Sequence, residues 1–327
     1  SYDYSYNQIK YVGAGEWKVW ISVLVQASLF VFAILQFKKK NIAAFGILFY
    51  FLTFSIVSNL VVDSGVVIGE RFLYQPSLGL LIAFTALIFW LMEKFISNKK
   101  QLPTAVLAAS LPFVIVGGYA GMQRNMDWKD DMTLMIHDMY VCPESARTNN
   151  GGGTQFILKA IDVKDKQQQT ALMDSALLHL EKAARIHPTY VDPWLNLGVA
   201  FSRMLMWPQA ELCWERARQL SPNHPKLTVE YDEVMYSHYF NLAMKAGPTN
   251  PQQAIDLLNK AKHYRPKKDE LYYNMGGAYF TLGTKATPIN ISALDSAKFY
   301  FTKTIQLNPN RTDAQNGLNA LRNFGVN

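Results

Sequence analysis

The stretch WLNLGVAFSRMLMWPQAELCWERARQLSP, residues 194–222, decides the fold because small and aromatic side chains recur in it at helical spacing. The small residues let two antiparallel helices touch, the aromatic residues fill the gap to the next pair, and the final proline breaks the helix. These residues are Gly198, Ala210 and Ala217, then Trp194, Phe201 and Trp214, and lastly Pro222. The stretch therefore predicts a helical hairpin that stacks on copies of itself.

This spacing is that of the tetratricopeptide repeat, and it recurs on both sides of the stretch. The second good match has about nine extra residues between its helices, and it rests on Tyr272, Gly276 and Tyr279. Two weaker units end at Pro188 and Pro266, and the first helix of the latter unit is long, at about 226–245. A polar helix near 312–323 would cap the array. We predict an all-α repeat superhelix over residues 145–327, whose concave face holds a peptide or a partner protein.

One part of the repeat region resists this interpretation. Three adjacent glycines, Gly151–Gly153, stand where the first helix of the first unit would have to begin. Each glycine costs a helix about 1 kcal/mol relative to alanine. The sequence therefore does not fix where this helix begins.

Residues 1–123 are of a different kind, because they contain four long apolar runs. A helix needs roughly 20 apolar residues to cross the hydrocarbon core of a bilayer. The predicted spans are about 18–37, 42–62, 76–96 and 103–121. We therefore expect a four-span transmembrane domain in contact with membrane lipid, a linker and helix at 124–144, and then the repeats.

Charge predicts the orientation of these spans. Lys38–Lys40 separate the first two, and Lys94, Lys99 and Lys100 separate the last two, so both clusters lie on one side, which should be cytoplasmic. The repeats would then face outward, and compact loops favour the periplasm of a bacterial inner membrane. The net charge of +7 arises mainly from these clusters, so nucleic acid is an unexpected partner.

Catalytic signatures are scarce. The six histidines are scattered without metal-ligand spacing, and the sequence has no phosphate-binding glycine loop and no nucleophile elbow. We therefore assign no catalytic residue and no metal site within this segment.

Two outward-facing segments could still bind an anion. Glu70-Arg71-Phe72-Leu73-Tyr74-Gln75-Pro76-Ser77 runs into a membrane helix with Pro76 in its first turn, so Arg71 would lie beside the positive end of a helix. The other interpretation is an interfacial arginine paired with Glu70. Arg124, after the last span, could add a second cation, or it could belong to a linker whose acidic residues cap the next helix.

The chain resembles membrane O-mannosyltransferases of the GT-C type that carry C-terminal tetratricopeptide repeats. The resemblance rests on Asp3–Ile9, the Glu70–Ser77 segment, Arg124-Asn125 with Trp128, and Pro143–Arg147 ahead of the repeats. It implies an enzyme that transfers a sugar from a polyprenyl-phosphate donor to a protein hydroxyl. The residues that would then bind the donor phosphate are Arg71, Glu70, Tyr74 and Arg124.

In that family the catalytic acids, and any divalent metal they bind, lie in an early outward loop with no counterpart here. We therefore expect residues 1–327 to be the C-terminal portion of a longer polypeptide, without a cofactor of its own. A non-catalytic membrane-anchored scaffold, whose repeats recruit an envelope partner, is the alternative function.

Overall fold

The computed structural model of the chain describes residues 13–58 and 70–326, and of Glu70 and Arg71 the backbone alone. Every regular element within these ranges is helical, as predicted. The α-helices are α1 (Trp17–Phe37), α2 (Ile42–Val57), α3 (Tyr74–Phe95), α4 (Leu102–Asp127), α5 (Asp131–Val141), α6 (Ala146–Asp162), α7 (Lys166–Ile186), α8 (Val191–Arg203), α9 (Trp207–Leu220), α10 (Asp232–Ala246), α11 (Pro251–Tyr264), α12 (Asp269–Lys285), α13 (Ile291–Leu307) and α14 (Thr312–Arg322). Packing divides the chain into two compact units, with the boundary between Met206 and Trp207.

Three helices of the described chain, not the predicted four, are long and apolar enough to cross a membrane. They are α1, α3 and α4, with 21, 22 and 26 residues. Helix α2 has 16 residues and spans only about 24 Å at a rise of 1.5 Å per residue. It ends at Val57, and the Ser55 and Ser58 hydroxyls near this end donate to backbone carbonyls three residues earlier. The predicted span 42–62 is therefore wrong in the described part of the chain.

Helices α2 and α3 pack closely because two glycines face each other. A Cβ atom on Gly46 would lie 2.5 Å from the Gly79 carbonyl oxygen and 2.8 Å from the Ala83 nitrogen, and one on Gly79 would meet Gly46 and Tyr50. Residues later in α2 thus face residues earlier in α3, so the two helices run antiparallel. It follows that the start of α2 and the end of α3, which carry the lysine-rich loops, point toward the same side.

The glycine run lies inside a continuous helix. Helix α6 begins at Ala146, where the Ser145 side chain accepts a hydrogen bond from the Thr148 amide, and it continues to Asp162. A Cβ atom on Gly152 would lie 3.1 Å from Met139 Cβ, and one on Gly153 would lie 2.7 Å from Leu180 Cγ. Close packing against α5 and α7 therefore offsets the low helix propensity, and the three buried glycines do not delay the start of the helix.

The repeat helices pack in consecutive pairs. In the first unit α6 packs on α7, and in the second unit α10 packs on α11 and α12 on α13. Short loops make each pair antiparallel. The long helix predicted at 226–245 is a π-helical turn, Leu227–Tyr231, followed by α10. Helix α14 lies on α13 and contributes Ala314 and Leu321 to the terminal core, as expected of a capping helix.

Candidate functional site

The predicted donor-phosphate segment forms a tight turn at the start of a membrane helix. Glu70–Leu73 is a 3-10 turn, and α3 follows at Tyr74 with Pro76 buried in its first turn. The Tyr74 side chain is 83% exposed. The side chains of Glu70 and Arg71 lie outside the described residues, as do Asp3–Ile9 and residues 59–69. The backbone geometry thus matches the predicted helix start, while the contacts of Arg71 remain a prediction.

Arg124 lies in the last turn of α4, among acidic side chains. Its Nη1 atom is 3.1 Å from Asp127 Oδ2 and 3.6 Å from Oδ1 of the fully buried Asp138 on α5. His137 lies 3.1 Å from the same Asp138 atom through Nδ1 and 3.6 Å from Asp127 Oδ2 through Nε2. Two carboxylates therefore flank Arg124 and join α4 to α5, an arrangement that favours the linker interpretation over a free anion-binding cation.

The acidic residues after α4 also cap α5. Asp130 Oδ1 accepts a hydrogen bond of 2.7 Å from the Thr133 amide, which confirms the predicted helix cap. This hydrogen bond to the Thr133 backbone lowers the pKa of Asp130, because it stabilises the ionised carboxylate.

In the first unit the residues that define the repeat pattern lie on α8. Gly198 is buried, whereas Trp194 and Phe201 are half-buried. The Trp194 indole N–H donates to the Pro188 carbonyl at 3.1 Å and so ties the start of α8 to the preceding loop. Large rings and one small residue thus occupy the same helix, as the spacing predicts.

In the second unit the pattern residues build a tight core. Ala210, Trp214 and Ala217 are all buried on α9, and the Trp214 ring stacks on Tyr231 with centroids 4.8 Å apart. A Cβ atom on Gly276 would lie 2.7 Å from the Phe301 ring, so only a glycine lets α12 approach α13 this closely. Tyr272 is buried and donates to the Pro266 carbonyl, while the Tyr279 ring stacks on Tyr300 at 5.4 Å.

A polar cluster on two neighbouring helices of the first unit was not predicted from the sequence. Asn196 on α8 donates through Nδ2 to Asn150 Oδ1 at 2.9 Å and to Thr154 Oγ1 at 3.0 Å, both on α6. All three side chains are half-buried. A signal for it was present in the sequence, because an asparagine stands two residues before the small packing residue in both helices.

An apolar groove of about 1080 Å³ lies among α1, α2 and α3. Its walls include Leu29, Phe32, Ile47, Leu80 and Phe84, with Asn41 and Trp90 among the lining residues toward the lysine-rich loops. Its size and apolar lining suit a hydrocarbon chain.

No group of three metal-ligating side chains lies together in the described ranges. The groups that the structure does bring together are an arginine–carboxylate cluster at the end of α4, an asparagine pair on the repeats and an apolar groove among the first helices. The helices that can cross a membrane and the paired repeat helices define the class as a membrane-anchored helical-repeat protein.

Comparison with known proteins narrows this class. No protein-family model matches the chain. It is 25% identical over 240 residues to Protein O-mannosyl-transferase Tmtc3 of Drosophila melanogaster, a match of 72% of this chain and 24% of that protein. It is 24% identical over 267 residues to Protein O-mannosyl-transferase TMTC3 of Mus musculus, with 80% and 26% covered. The chain is thus similar over most of its length to O-mannosyltransferases, and it spans about a quarter of these relatives.

Solved structures give weaker overlaps. YrrB, described as a TPR protein with an unusual peptide-binding site, is 16% identical with a TM-score of 0.32, and the match covers 63% of this chain and 90% of YrrB. MamA is 20% identical with a TM-score of 0.25 over 50% of this chain and 86% of MamA. Scores at this level do not establish a shared arrangement.

Proposed function

We propose that the chain is the C-terminal portion of a polytopic glycosyltransferase that transfers a sugar from a polyprenyl-phosphate donor to protein hydroxyls. The names of the relatives specify mannose as the sugar that they transfer. The membrane helices would hold the donor, and the repeats would bind the acceptor protein or a partner subunit. The observation that carries the proposal is the 267-residue match to a named O-mannosyltransferase. Such a match is longer than the repeat region, so it extends into the membrane helices and is not a likeness between repeats alone.

The apolar groove supports a lipid-linked donor. A polyprenyl chain is a long hydrocarbon, and the groove among α1–α3 offers it an apolar wall that spans much of α3. The Glu70–Leu73 turn and the start of α3 lie beyond the Ser77 end of that groove. Arg71 would there meet the donor phosphate with a planar fork of N–H donors, beside the amide groups at the start of α3.

The other residues predicted to bind the donor phosphate have different roles in this proposal. Tyr74 is exposed at the start of α3 and could contact the donor headgroup, and Glu70 would orient Arg71. Arg124 would contribute less to phosphate binding, because Asp127 and Asp138 already flank its guanidinium group. The catalytic base, and any divalent metal, would come from residues upstream of Ser1.

The orientation is part of the proposal. The antiparallel packing of α2 and α3 supports a common side for the two lysine-rich loops, and a cytoplasmic location of that side would put the repeats outside the cytoplasm. The relatives named above are animal proteins, so the bacterial inner membrane and the periplasm remain predictions of the sequence.

The test is sugar transfer from polyprenyl-phosphate-mannose to protein by the full-length polypeptide carrying Arg71→Ala or Arg71→Lys. We expect a loss of roughly 100-fold or more for alanine and an intermediate loss for lysine, since an ammonium lacks the fork that binds two phosphate oxygens. Lys99→Ala, an exposed lysine in the loop between α3 and α4, is the matched control and should retain wild-type transfer.

Equal transfer by wild type and Arg71→Ala would leave Arg71 as an interfacial anchor. The alternative function is a non-catalytic scaffold. In that function the anchored repeats recruit a partner, and no sugar donor is needed. The scaffold would be favoured if the full-length polypeptide transferred no sugar while its repeats still captured a partner.

A further inference from the structure

A tight turn of three consecutive lysines, Lys38–Lys40, joins α1 to α2. The Lys40 amide donates to the Phe37 carbonyl at 3.0 Å, and Lys40 has a φ of 53°, in the left-handed region. All three lysine side chains are exposed, and none of them pairs with an acidic side chain in the described part of the chain. The turn therefore holds three positive charges together without a counter-charge among the described residues.

Two of these lysines line a cavity of about 560 Å³ at the turn. Lys38 and Lys40 lie on its wall, and the other apolar lining residues are Phe37, Ile42 and Phe45. The Asn41 side chain also lines the cavity, but its Oδ1 atom accepts a hydrogen bond of 2.8 Å from the Ala43 amide and so caps α2. The charge that this cavity offers to a ligand thus comes from the two lysines and not from the start of α2.

An apolar cavity of about 500 Å³ adjoins the lysine cavity along the same two helices. Phe37 and Phe45 line both cavities, so the two are neighbours. Every other side chain around the apolar cavity is a phenylalanine or a leucine, and these residues are Phe30, Leu48, Phe49, Phe51 and Leu52. We call the two cavities together the α1–α2 furrow. It is charged at the lysine turn and apolar further along the helices.

A furrow that is charged at one end and apolar along the rest matches a phospholipid. Helix α1 is long enough to cross a membrane, so the lysines directly after it lie at the level of the lipid phosphates. An ammonium group attracts a phosphate as a compact point charge, and a wall of aromatic and leucine side chains suits an acyl chain. Anionic lipids are concentrated on the cytoplasmic side, which is the side that the lysines predict for this turn.

We propose that the α1–α2 furrow binds one anionic phospholipid, with its phosphate at Lys38 and Lys40 and an acyl chain against Phe37 and Phe45. The site goes beyond the proposed sugar transfer, because the groove assigned to the sugar donor shares only Asn41 with the lysine cavity and no residue with the apolar one. Residues of both helices line the furrow, so bound lipid would stabilise the packing of α1 on α2.

Lipid binding without any sugar donor tests the site separately from transferase activity. The full chain in neutral detergent micelles is titrated with dioleoyl phosphatidylglycerol or dioleoyl phosphatidylcholine, and native mass spectrometry measures the fraction that retains one lipid. The two lipids share their acyl chains and differ in net charge. We expect phosphatidylglycerol to bind about tenfold more tightly. An excess of glycerol 3-phosphate, which lacks the acyl chains, should leave that binding unchanged.

Paired lysine variants separate a defined site from the general attraction of a basic surface. Lys38→Gln combined with Lys40→Gln should weaken phosphatidylglycerol binding about tenfold and leave phosphatidylcholine binding unchanged. Lys99→Gln combined with Lys100→Gln is the matched control, because it removes the same charge from exposed lysines that line neither cavity. This control should bind phosphatidylglycerol within about twofold of wild type.

Apolar variants locate the acyl chain. Phe45 is 57% exposed and lines the furrow, so Phe45→Ala should weaken the binding of both lipids about fivefold while the helices stay folded. Leu81 is 59% exposed and lines the donor groove instead. Leu81→Ala is therefore the matched control and should bind both lipids as wild type does.

Four outcomes would overturn the proposal: equal binding of the two lipids by the wild-type chain, equal losses in the two lysine pairs, a loss in Leu81→Ala but not in Phe45→Ala, or displacement of the lipid by glycerol 3-phosphate. The comparison of the two lipids uses the wild-type chain, so it holds even if a variant fails to fold. Lipid binding by a full-length polypeptide that transfers no sugar would reject the enzyme and leave this site in place.

Discussion

The membrane helices and the repeat helices both use glycine to bring helices together, but they differ in what they leave exposed. In α1, α3 and α4 the large apolar side chains point outward; Leu24 is 67% exposed and Val116 is also 67% exposed. In the repeats, by contrast, Leu180, Leu258 and Leu294 are each 0% exposed. Apolar side chains that point outward are favourable in lipid, whereas a protein surrounded by water buries them. Close helix packing through glycine therefore occurs in both surroundings.

The largest expected effect comes from the glycine contact in the membrane region. Gly46→Ala puts a methyl group against the Gly79 backbone, which cannot rotate away, so α2 and α3 must separate. We expect the full chain in detergent to lose about 3 kcal/mol or more, seen as a large drop in the temperature at which it ceases to be monodisperse.

Gly117→Ala on α4 is the matched control, because a Cβ there meets nothing within 4 Å. It should leave that temperature unchanged or slightly raised. Equal behaviour of the two variants would mean that α2 and α3 do not pack through Gly46.

The equivalent change in the repeats should have a smaller effect. Phe301 lies between Gly276 and Gly317, with a Cβ on either glycine only 2.7–2.8 Å from its ring. Gly276→Ala should therefore cost about 1–3 kcal/mol, because a buried ring must shift. Thermal unfolding followed by circular dichroism measures the loss.

The neighbouring Gly277→Ala supplies the control on the same helix, since a Cβ there meets nothing within 4 Å. It should stabilise α12 by up to about 1 kcal/mol through helix propensity. Equal destabilisation by both substitutions would show that α12 tolerates no side chain at either position. The contact with Phe301 would then not explain the loss of stability in Gly276→Ala.

A smaller effect concerns pH, and it belongs to the repeats alone. Hydrogen bonds from Asn308, and then from Arg311, lower the pKa of Asp269 below its ordinary value of 3.8. The ionised folded state is therefore favoured, and the stabilisation is present above pH 3.8 and lost as pH falls through the lowered pKa. Asp269→Asn should cost about 0.5–1 kcal/mol at pH 7 and progressively less below pH 4.

Melting temperatures at pH 7 and pH 3 check this difference. Asp295→Asn, at an exposed carboxylate on α13 without an ion pair in the described chain, should change stability equally at both values. A pH-independent effect of Asp269→Asn would argue that the Asn308 and Arg311 contacts do not act through the carboxylate charge.

The sequence was informative where local spacing decides the structure. The positions of Gly276 and Ala217 predicted their helices, and the polar segment after Pro309 predicted the capping helix. It was misleading where tertiary contacts decide. The apolar run after Ile42 reads as a full span but its helix ends at Val57, and Met139 and Leu180 allow a helix through the glycine run.

The candidate site was predictable only in part. The turn before α3 follows from Pro76 and the local chain, but the pairing of Arg124 with Asp138 depends on how α5 folds back. The bond between Asn150 and Asn196 joins residues 46 positions apart, so only the packing of α6 on α8 brings them together. Periodicity identifies the helices, whereas contacts of this range depend on how the helices pack.

The sidedness of the two regions tests the central claim most directly. Single cysteines at Lys39→Cys, Lys99→Cys and Lys267→Cys, in a background with Cys142 and Cys213 replaced by alanine, would be labelled with a membrane-impermeant maleimide. We predict that Lys267→Cys reacts from the outer side of intact membranes, while the other two react only after permeabilisation. Labelling of Lys39→Cys and Lys99→Cys from outside, with Lys267→Cys protected, would contradict the orientation and the outward-facing donor site that depends on it.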